Sequence, residues 1–418
     1  MIFESKTRTQ PITKESVWSA WKHVRASNGT SGVDSVSIAM ISANARKYLY
    51  PLWNRLSSGS YVPPAVKGVS IPKPNGGTRQ LGIPTVCDRV AQEVIRRDLE
   101  KIVEPHFHAS SFGYRPNKSA FDALSQCERH CNERWYVVDI DIKGYFDNIN
   151  HELMMSILRQ HTHQKHILLY CQRWLESPVQ KENKRESRSK GTPQGGVISP
   201  LLSNLFLHEV FDKWMQENHS NMVFERYCDD IIIHTRSLAQ SNFILDKVKQ
   251  RFEQYKLSLN TEKTKIVYCN RSSRPQQEIE EREETASSFD FLGYTFKPRK
   301  CINHKNEMFC GFGAAISTKS ASRILQTIRK LYIPRLTTKT LQEIAYMLRP
   351  QLLGWIQYYG RHRLKEMSRV FWTLNHRLVR YLQNRYKYSS YRFAKHRFQH
   401  LIRHFPNTFV HWQYGFIW

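Results

Sequence analysis

The sequence contains no long hydrophobic run. No apolar segment approaches the roughly 20 residues that a helix needs to cross a bilayer, so we expect no membrane partner. No secretory signal opens the chain, and its eight cysteines follow no disulfide framework, which indicates reduced thiols and a cytoplasmic location. Cys127, His130 and Cys131 have a helical spacing that could serve zinc, but a second pair of ligands is missing.

Acidic residues are scarce. The 418 residues include 63 lysines and arginines against 36 aspartates and glutamates, a formal net charge of +27. Such a charge attracts polyanions over long range, although a basic protein merely kept soluble by its charge is the alternative. Residues 297–418 hold 23 basic and 3 acidic side chains, which predicts one long basic surface at the C-terminal end.

The hydrophobic pattern predicts an α+β body followed by a basic helical end. A hydrophobic share of 40% excludes a disordered chain, and the length predicts two or three subdomains. Strands are predicted at residues 66–71, 79–83, 135–142, 222–227, 231–235, 265–268 and, as a pair, 289–296. Helices are predicted at residues 14–27, 42–56, 88–103, 153–159, 167–175, 199–216 and 241–255, and from about 317 onward. Residues 181–190 are expected to be a solvated loop, and residues 271–288 a mobile insertion.

Carboxylates stand at the ends of two apolar strands. Asp141 ends one predicted strand, and Asp229 and Asp230 occupy a tight turn between two others. Hard oxygen ligands of this kind suit a pair of Mg²⁺ ions about 4 Å apart, which can activate a hydroxyl group and hold a triphosphate. An aspartate pair is also common in ordinary turns, and Asp139 competes with Asp141 because both lie on one face of the strand.

Four segments resemble the motifs of group II intron-like reverse transcriptases. Residues 227–230 (Tyr-Cys-Asp-Asp) resemble the YxDD box, residues 141–149 motif A, residues 191–204 motif B, and residues 71–84 the fingers hairpin. The resemblance covers about residues 25–400 and selects Asp141 over Asp139 as the metal ligand. It implies a right-hand polymerase fold with fingers, palm and thumb. The expected boundaries are an N-terminal extension at 1–60, fingers at 61–135, palm at 136–312 and a basic helical thumb at 313–418.

The same resemblance implies roles around the incoming nucleotide. Lys73 and Arg79 would close over its triphosphate, Phe146 would crowd its 2′-carbon, and Gln194 and Gly195 would approach the template–nucleotide pair. Lys263 resembles the motif D lysine that could protonate pyrophosphate, with Lys265 as a competitor. The simpler alternatives are surface charge for Lys73 and Arg79, core packing for Phe146, and packing under the primer for Tyr227.

Downstream segments resemble parts that hold nucleic acid. Residues 291–294 are similar to the primer grip, and residues 353–359 to the thumb or maturase segment. Basic residues alternate with aromatic ones beyond that point, a pattern that suits phosphates and stacked bases. The candidate nucleic-acid-binding residues are Arg377, Arg380, Arg385, Lys387, Arg392 and Arg397.

Three functions fit these motifs. The resemblance implies an enzyme that uses two Mg²⁺ ions and dNTPs to copy an RNA template into cDNA. Cys228, where intron enzymes usually have alanine, and the short C-terminal end favour the defence-associated branch, which copies a structured non-coding RNA. The alternatives are an intron-encoded reverse transcriptase and maturase, and an RNA-binding maturase without catalysis. The last is disfavoured because Lys73, Arg79 and the three aspartates are intact.

Overall fold

A computed structural model describes residues 9–72, 78–182, 184–272, 283–302 and 305–417. The helices are α1 (Lys14–Ala26), α2 (Ile38–Ala43), α3 (Ala45–Ser57), α4 (Val86–Val103), α5 (Ala120–Glu133), α6 (Tyr145–Asn148), α7 (His151–His161), α8 (Lys165–Leu175), α9 (Ser199–Leu207), α10 (Lys213–Asn218), α11 (Leu238–Gln254), α12 (Thr318–Lys330), α13 (Leu341–Arg363), α14 (Ser368–Tyr386), α15 (Tyr391–His404) and α16 (Val410–Gln413). The strands are β1 (Val66–Pro72), β2 (Thr78–Ile83), β3 (Tyr136–Asp141), β4 (Val179–Lys181), β5 (Lys184–Glu186), β6 (Val223–Tyr227), β7 (Asp230–Thr235), β8 (Lys265–Tyr268), β9 (Phe289–Phe291), β10 (Tyr294–Ile302) and β11 (Met308–Ile316). This composition confirms the predicted α+β class.

The described strands form three sheets. Their orders are β2-β1-β4-β5, β6-β7-β3-β8 and β11-β10-β9. In the second sheet, β6 and β7 form an antiparallel hairpin, and β7 lies beside β3. The apolar residues of β3 and β7 are buried. Asp141 is the last residue of β3 and Asp230 is the first residue of β7, so both lie where the central strands of the sheet terminate. The sheet therefore fixes carboxylates at its rim.

The chain divides into two compact units. One comprises residues 1–123 and 138–265, and the other comprises residues 124–137 and 266–418. The division falls within α5, β3 and β8. The first unit contains every described residue of the predicted nucleotide site, and the second contains the basic helices.

The second unit has its own core. The β9–β10 turn is tight, because Leu292 and Gly293 have φ angles of 50° and 82°, the left-handed values that suit a two-residue hairpin. The hydroxyl of Tyr358, in the predicted thumb segment, donates to the carbonyl of Leu292 at 2.9 Å. Apolar faces of α12 to α16 pack together, with Leu348, Phe371 and Leu378 fully or almost fully buried. This confirms the helical faces that the sequence predicts after residue 317.

Two expectations about local structure are wrong, and one strand was missed. Residues 181–190 are not simply a loop, because β4 and β5 pair there and β4 joins β1 in parallel. The predicted 199–216 helix is interrupted by a π-helical turn at His208–Asp212. β11 was not expected at all. The segments of β4, β5 and β11 lack the hydrophobic alternation that marks a strand, so only their pairing partners define them. Residues 199–216 carry an unbroken helical pattern, so the sequence does not reveal the π-helical turn.

The remaining expectations have mixed outcomes. The fingers hairpin is confirmed, since β1 and β2 pair antiparallel from Lys67↔Ile83 to Pro72↔Thr78. Residues 273–282 of the expected insertion lie outside the described residues. All eight cysteines are described and none forms a disulfide, and Cys127 and Cys131 are buried one turn apart on α5. In the described part of the chain, every helix is too short or too polar to cross a membrane.

Candidate active site

Three carboxylates lie together where β3 ends and β7 begins. Asp141 is the last residue of β3, Asp229 lies in the β6–β7 turn, and Asp230 is the first residue of β7. Asp229 and Asp230 both repel Asp141 electrostatically. The structure thus brings together the three aspartates that the motifs single out, with Asp141 rather than Asp139 as the partner of the turn.

The protein does not neutralise this cluster fully. Desolvation by surrounding atoms, then repulsion from Asp229 and Asp141, raises the pKa of Asp230 to about 7, although part of its side chain remains in contact with solvent. Desolvation also raises the pKa of Asp229, with a further contribution from Asp141. Crowded carboxylates that stay accessible are the ligand set that divalent cations prefer, because the cation removes their mutual repulsion. The residues present therefore fit a magnesium site.

One lysine lies beside the cluster. The ammonium group of Lys263 is 3.1 Å from a carboxylate oxygen of Asp141. The loop that carries it is fixed to the end of β3, since the amide of Asn260 donates to the Asp141 carbonyl at 2.8 Å and the Asp141 amide donates to the Thr264 hydroxyl at 3.2 Å. Lys265 instead begins β8. The structure thus places Lys263 at the aspartates, and the two anchoring residues were missed from the sequence.

The second side of the site is formed by β2 and residues 191–196. The guanidinium group of Arg79 donates to the Gln194 side chain and also faces Asp229 electrostatically. Gly195 has a φ of 122°, and a Cβ atom there would lie 2.8 Å from the carbonyl oxygen of Gly82. Only glycine allows this approach. Lys73 lies outside the described residues.

Phe146 lies in α6, shortly after Asp141 in the chain. It follows Gly144, whose φ of 55° turns the chain from β3 into α6, and its side chain is 9% exposed. The Phe146 carbonyl accepts from the Thr192 amide at 2.8 Å, which ties motif A to motif B. The backbone of Phe146 is therefore fixed to motif B, and its side chain is largely buried.

Two family models match the chain. Residues 71–296 match "Reverse transcriptase (RNA-dependent DNA polymerase)", and residues 321–400 match "Group II intron, maturase-specific domain". The first match spans more than half of the chain and includes all three aspartates. The chain belongs to the reverse transcriptase family.

Curated relatives agree with this assignment. Protein YkfC of Escherichia coli K12 is 33% identical over 279 residues, covering 58% of this reverse transcriptase and 73% of the relative. The group II intron-encoded protein LtrA of Lactococcus lactis is 29% identical and covers 66% of this chain. This chain matches only 43% of LtrA's length. The retron Ec48 reverse transcriptase of E. coli is 27% identical over 49% of each chain. Family membership confirms the group II intron-like character and the right-hand polymerase fold that the motifs implied.

A buried ion pair supports the turn of this reverse transcriptase. Arg226, just before the turn, is fully buried and donates from Nη1 to the Cys228 carbonyl and to the Asn204 side chain, both at 3.0 Å. The same guanidinium pairs with buried Asp212. Cys228 has a φ of 60°, a left-handed value that is strained for a residue with a side chain. The arginine therefore fixes a turn that would otherwise be unfavourable.

A second polar network supports motif B. The side-chain oxygen of Gln92 on α4 accepts from the Val197 amide at 2.7 Å, and its nitrogen donates to Asp88 at 2.9 Å. Tyr61 and Trp174 also donate to Asp88. Burial raises the pKa of Asp88 to about 6, with its hydrogen bonds opposing the shift. Polar residues on an otherwise apolar helix were the only sign of this network before the fold was known.

The basic thumb residues differ in their surroundings. Arg385 donates to the carbonyls of Thr337 and Lys339, so it fastens α14 to the loop that precedes α13. Lys387 ends α14 with a φ of 51°. Arg377 and Arg380 lie together on α14, and Arg392 and Arg397 are exposed on α15. Their binding of nucleic acid stays a prediction.

Proposed function

We propose that the protein is an RNA-directed DNA polymerase that uses two Mg²⁺ ions held by Asp141, Asp229 and Asp230. The observation that carries the proposal is the meeting of these three accessible carboxylates at the edge of one buried sheet. Bound Mg²⁺ would lower the pKa of the primer 3′-hydroxyl and neutralise the triphosphate. Every other task falls to the side chains around them.

The surrounding residues divide the remaining work. Arg79 and Lys73 bind the triphosphate, and Gln194 and Gly195 hold the nascent base pair against β2. Phe146 fills the space beside the sugar and selects deoxynucleotides. Lys263 donates a proton to the leaving pyrophosphate; its exposed contact with Asp141 is weak enough to exchange for that role.

We further propose that the template is a structured non-coding RNA and that its cDNA serves antiphage defence in the cytoplasm. Cys228 in the YxDD box and the similarity to a retron reverse transcriptase support this reading. The match of residues 321–400 to the intron maturase domain supports the alternative, an intron-encoded reverse transcriptase that assists splicing and retrohoming. A non-catalytic maturase is less well supported because the aspartate cluster is complete.

Primer extension on an RNA template tests the polymerase. The double variant Asp229→Ala, Asp230→Ala should reduce Mg²⁺-dependent cDNA synthesis to background. Asp246→Ala, an exposed aspartate on α11 of the same unit, should leave synthesis unchanged. Undiminished synthesis by the double variant would refute the site.

Sequencing of RNA that copurifies with the protein separates the biological roles. A single structured RNA encoded beside the gene, without intron boundaries, is the expected result. Recovery of flanking ribozyme domains would replace the defence role with intron mobility.

A further inference from the structure

A cleft in the second unit carries positive charge and aromatic rings together. It is lined by Thr373, His376, Arg377, Arg380 and Tyr391 and encloses about 420 Å³. The four residues from α14 recur at helical spacing and so share one face, and Tyr391 is the first residue of α15. The cleft is within the roughly 300–1,000 Å³ range of small-ligand sites, so it can hold one nucleotide unit.

The charges at this cleft are of one sign. Arg377 is repelled by Arg329 of α12 and by Arg380, and His376 faces Arg380 and Lys395 of α15. Within the described part of the chain, Arg329, Arg377 and Arg380 form no ion pair with a carboxylate. The Nε atom of Arg377 is buried and has no hydrogen-bond partner among the described residues. Like charges held together in this way oppose folding unless an anion joins them.

The aromatic rings of Tyr391 and His376 line the cleft together with Arg377 and Arg380. The ring of Tyr391 stacks on His376 with an interplanar angle of 18°, and the Tyr391 hydroxyl hydrogen-bonds to the imidazole. Desolvation, with repulsion from Lys395 and Arg380, lowers the pKa of His376, so the imidazole is neutral at pH 7. A neutral ring pair beside guanidinium groups can stack a base while the arginines hold the adjoining phosphate.

We propose that this cleft binds one nucleotide of single-stranded RNA, with its phosphate between Arg377 and Arg380 and its base against Tyr391. The inference rests on the proposed function only in taking RNA as the partner. Arg385, eight residues after Arg377 on α14, shows the contrast, because its guanidinium is used by backbone carbonyls of the protein itself. The cleft arginines have no such use.

RNA binding by the full chain tests the cleft. Fluorescence anisotropy with a single-stranded RNA 12-mer, without Mg²⁺ or dNTPs, is recorded across KCl concentrations. Arg377→Gln with Arg380→Gln should weaken binding about ten-fold and reduce the log–log salt slope by about 0.7, the value for one phosphate on a single strand. Arg323→Gln with Arg349→Gln removes equal charge from exposed positions on α12 and α13 and should have a smaller effect. Equal losses in the two double variants would overturn the proposal.

Further variants separate stacking from charge and from folding. Tyr391→Leu should weaken RNA binding with an unchanged salt slope. Removal of repelling charges should leave the melting temperature of the RNA-free Arg377/Arg380 variant unchanged or raised, and the exposed Arg380→Gln alone should still lower the slope. Equal competition by polyglutamate would mark an unspecific anion site and overturn the RNA assignment. Absence of cDNA synthesis by the parent protein, with these binding effects intact, would refute the polymerase proposal and leave this one standing.

Discussion

Arg226 and Asp212 form a bidentate ion pair whose side chains are both fully buried. Nε lies 2.7 Å from one carboxylate oxygen of Asp212 and Nη2 lies 2.5 Å from the other. Burial alone would raise the pKa of Asp212, but Arg226 together with His208 outweighs it and holds that pKa below its usual value. Because the remaining Nη1 donor reaches the Cys228 carbonyl, the pair connects the π-helical turn to the backbone of the YxDD turn.

Breaking this pair should damage stability and activity separately. Arg226→Met leaves Asp212 buried with only the longer contact to His208 at 3.7 Å, so the free energy of unfolding should fall by about 3–5 kcal/mol in urea titrations. Adding Asp212→Leu removes the stranded charge and should restore most of that stability. cDNA synthesis should remain low in the double variant, because the Cys228 carbonyl has lost its donor. Recovery of synthesis together with stability would mean that the pair supports the fold alone.

Phe146→Ala should relax the choice of sugar. Removing the ring opens space at the 2′-carbon, so the kcat/KM ratio of ribonucleotide to deoxynucleotide incorporation should rise on the order of ten-fold or more. Single-nucleotide primer extension measures this ratio. Phe252→Ala, which removes a buried ring from α11, controls for general loosening of the unit. An equal rise in both variants would assign Phe146 to packing.

Magnesium binding should weaken below neutral pH. A pKa of about 7 means that Asp230 is mostly protonated at pH 6, and Mg²⁺ must then displace a proton. The Mg²⁺ concentration for half-maximal synthesis should therefore be about ten-fold higher at pH 6 than at pH 8. The stability of the metal-free protein should change with pH in the opposite direction. The folded state binds the Asp230 proton more tightly than the unfolded state does, so the free energy of unfolding falls as pH rises from about 4 to 7. Asp230→Asn should remove the pH dependence of stability, and a flat pH profile of the Mg²⁺ requirement in the parent would contradict the assignment.

Gly195→Ala should impair nucleotide binding. The added methyl group meets the Gly82 carbonyl at 2.8 Å and the φ of 122° is unfavourable for alanine, so motif B must move away from β2. The KM for dNTP should rise several-fold, as measured by steady-state primer extension. Gly354→Ala on α13, where a Cβ atom meets nothing within 4 Å, should instead stabilise the protein slightly. Unchanged dNTP kinetics in Gly195→Ala would show that the contact is dispensable.

The sequence by itself determined the elements that have a strong local signal. The apolar alternation of β3, the continuous apolar run of β7, the turn between β6 and β7, and the helical faces of α13 and α14 follow from spacing and turn chemistry. The motif order then identified the three aspartates, Arg79, Gln194 and Gly195 without reference to tertiary structure. Their roles in catalysis and binding remain predictions that the experiments above address.

Tertiary structure alone decided how the carboxylates are supported. Nothing local links Asp212 to Arg226, Gln92 to Val197 or Asn260 to Asp141, because each pair is distant in sequence and joined only by the folded chain. The β4–β5 hairpin and β11 were likewise invisible, since their polar or glycine-containing sequences become strands only through pairing partners. The π-helical turn was invisible because it interrupts a continuous helical pattern. The sequence shows the hydrophobic period of a helix or strand directly, because that period depends on residues close together in the chain. The hydrogen-bond partner of a buried polar group depends instead on which distant residue the fold brings within reach.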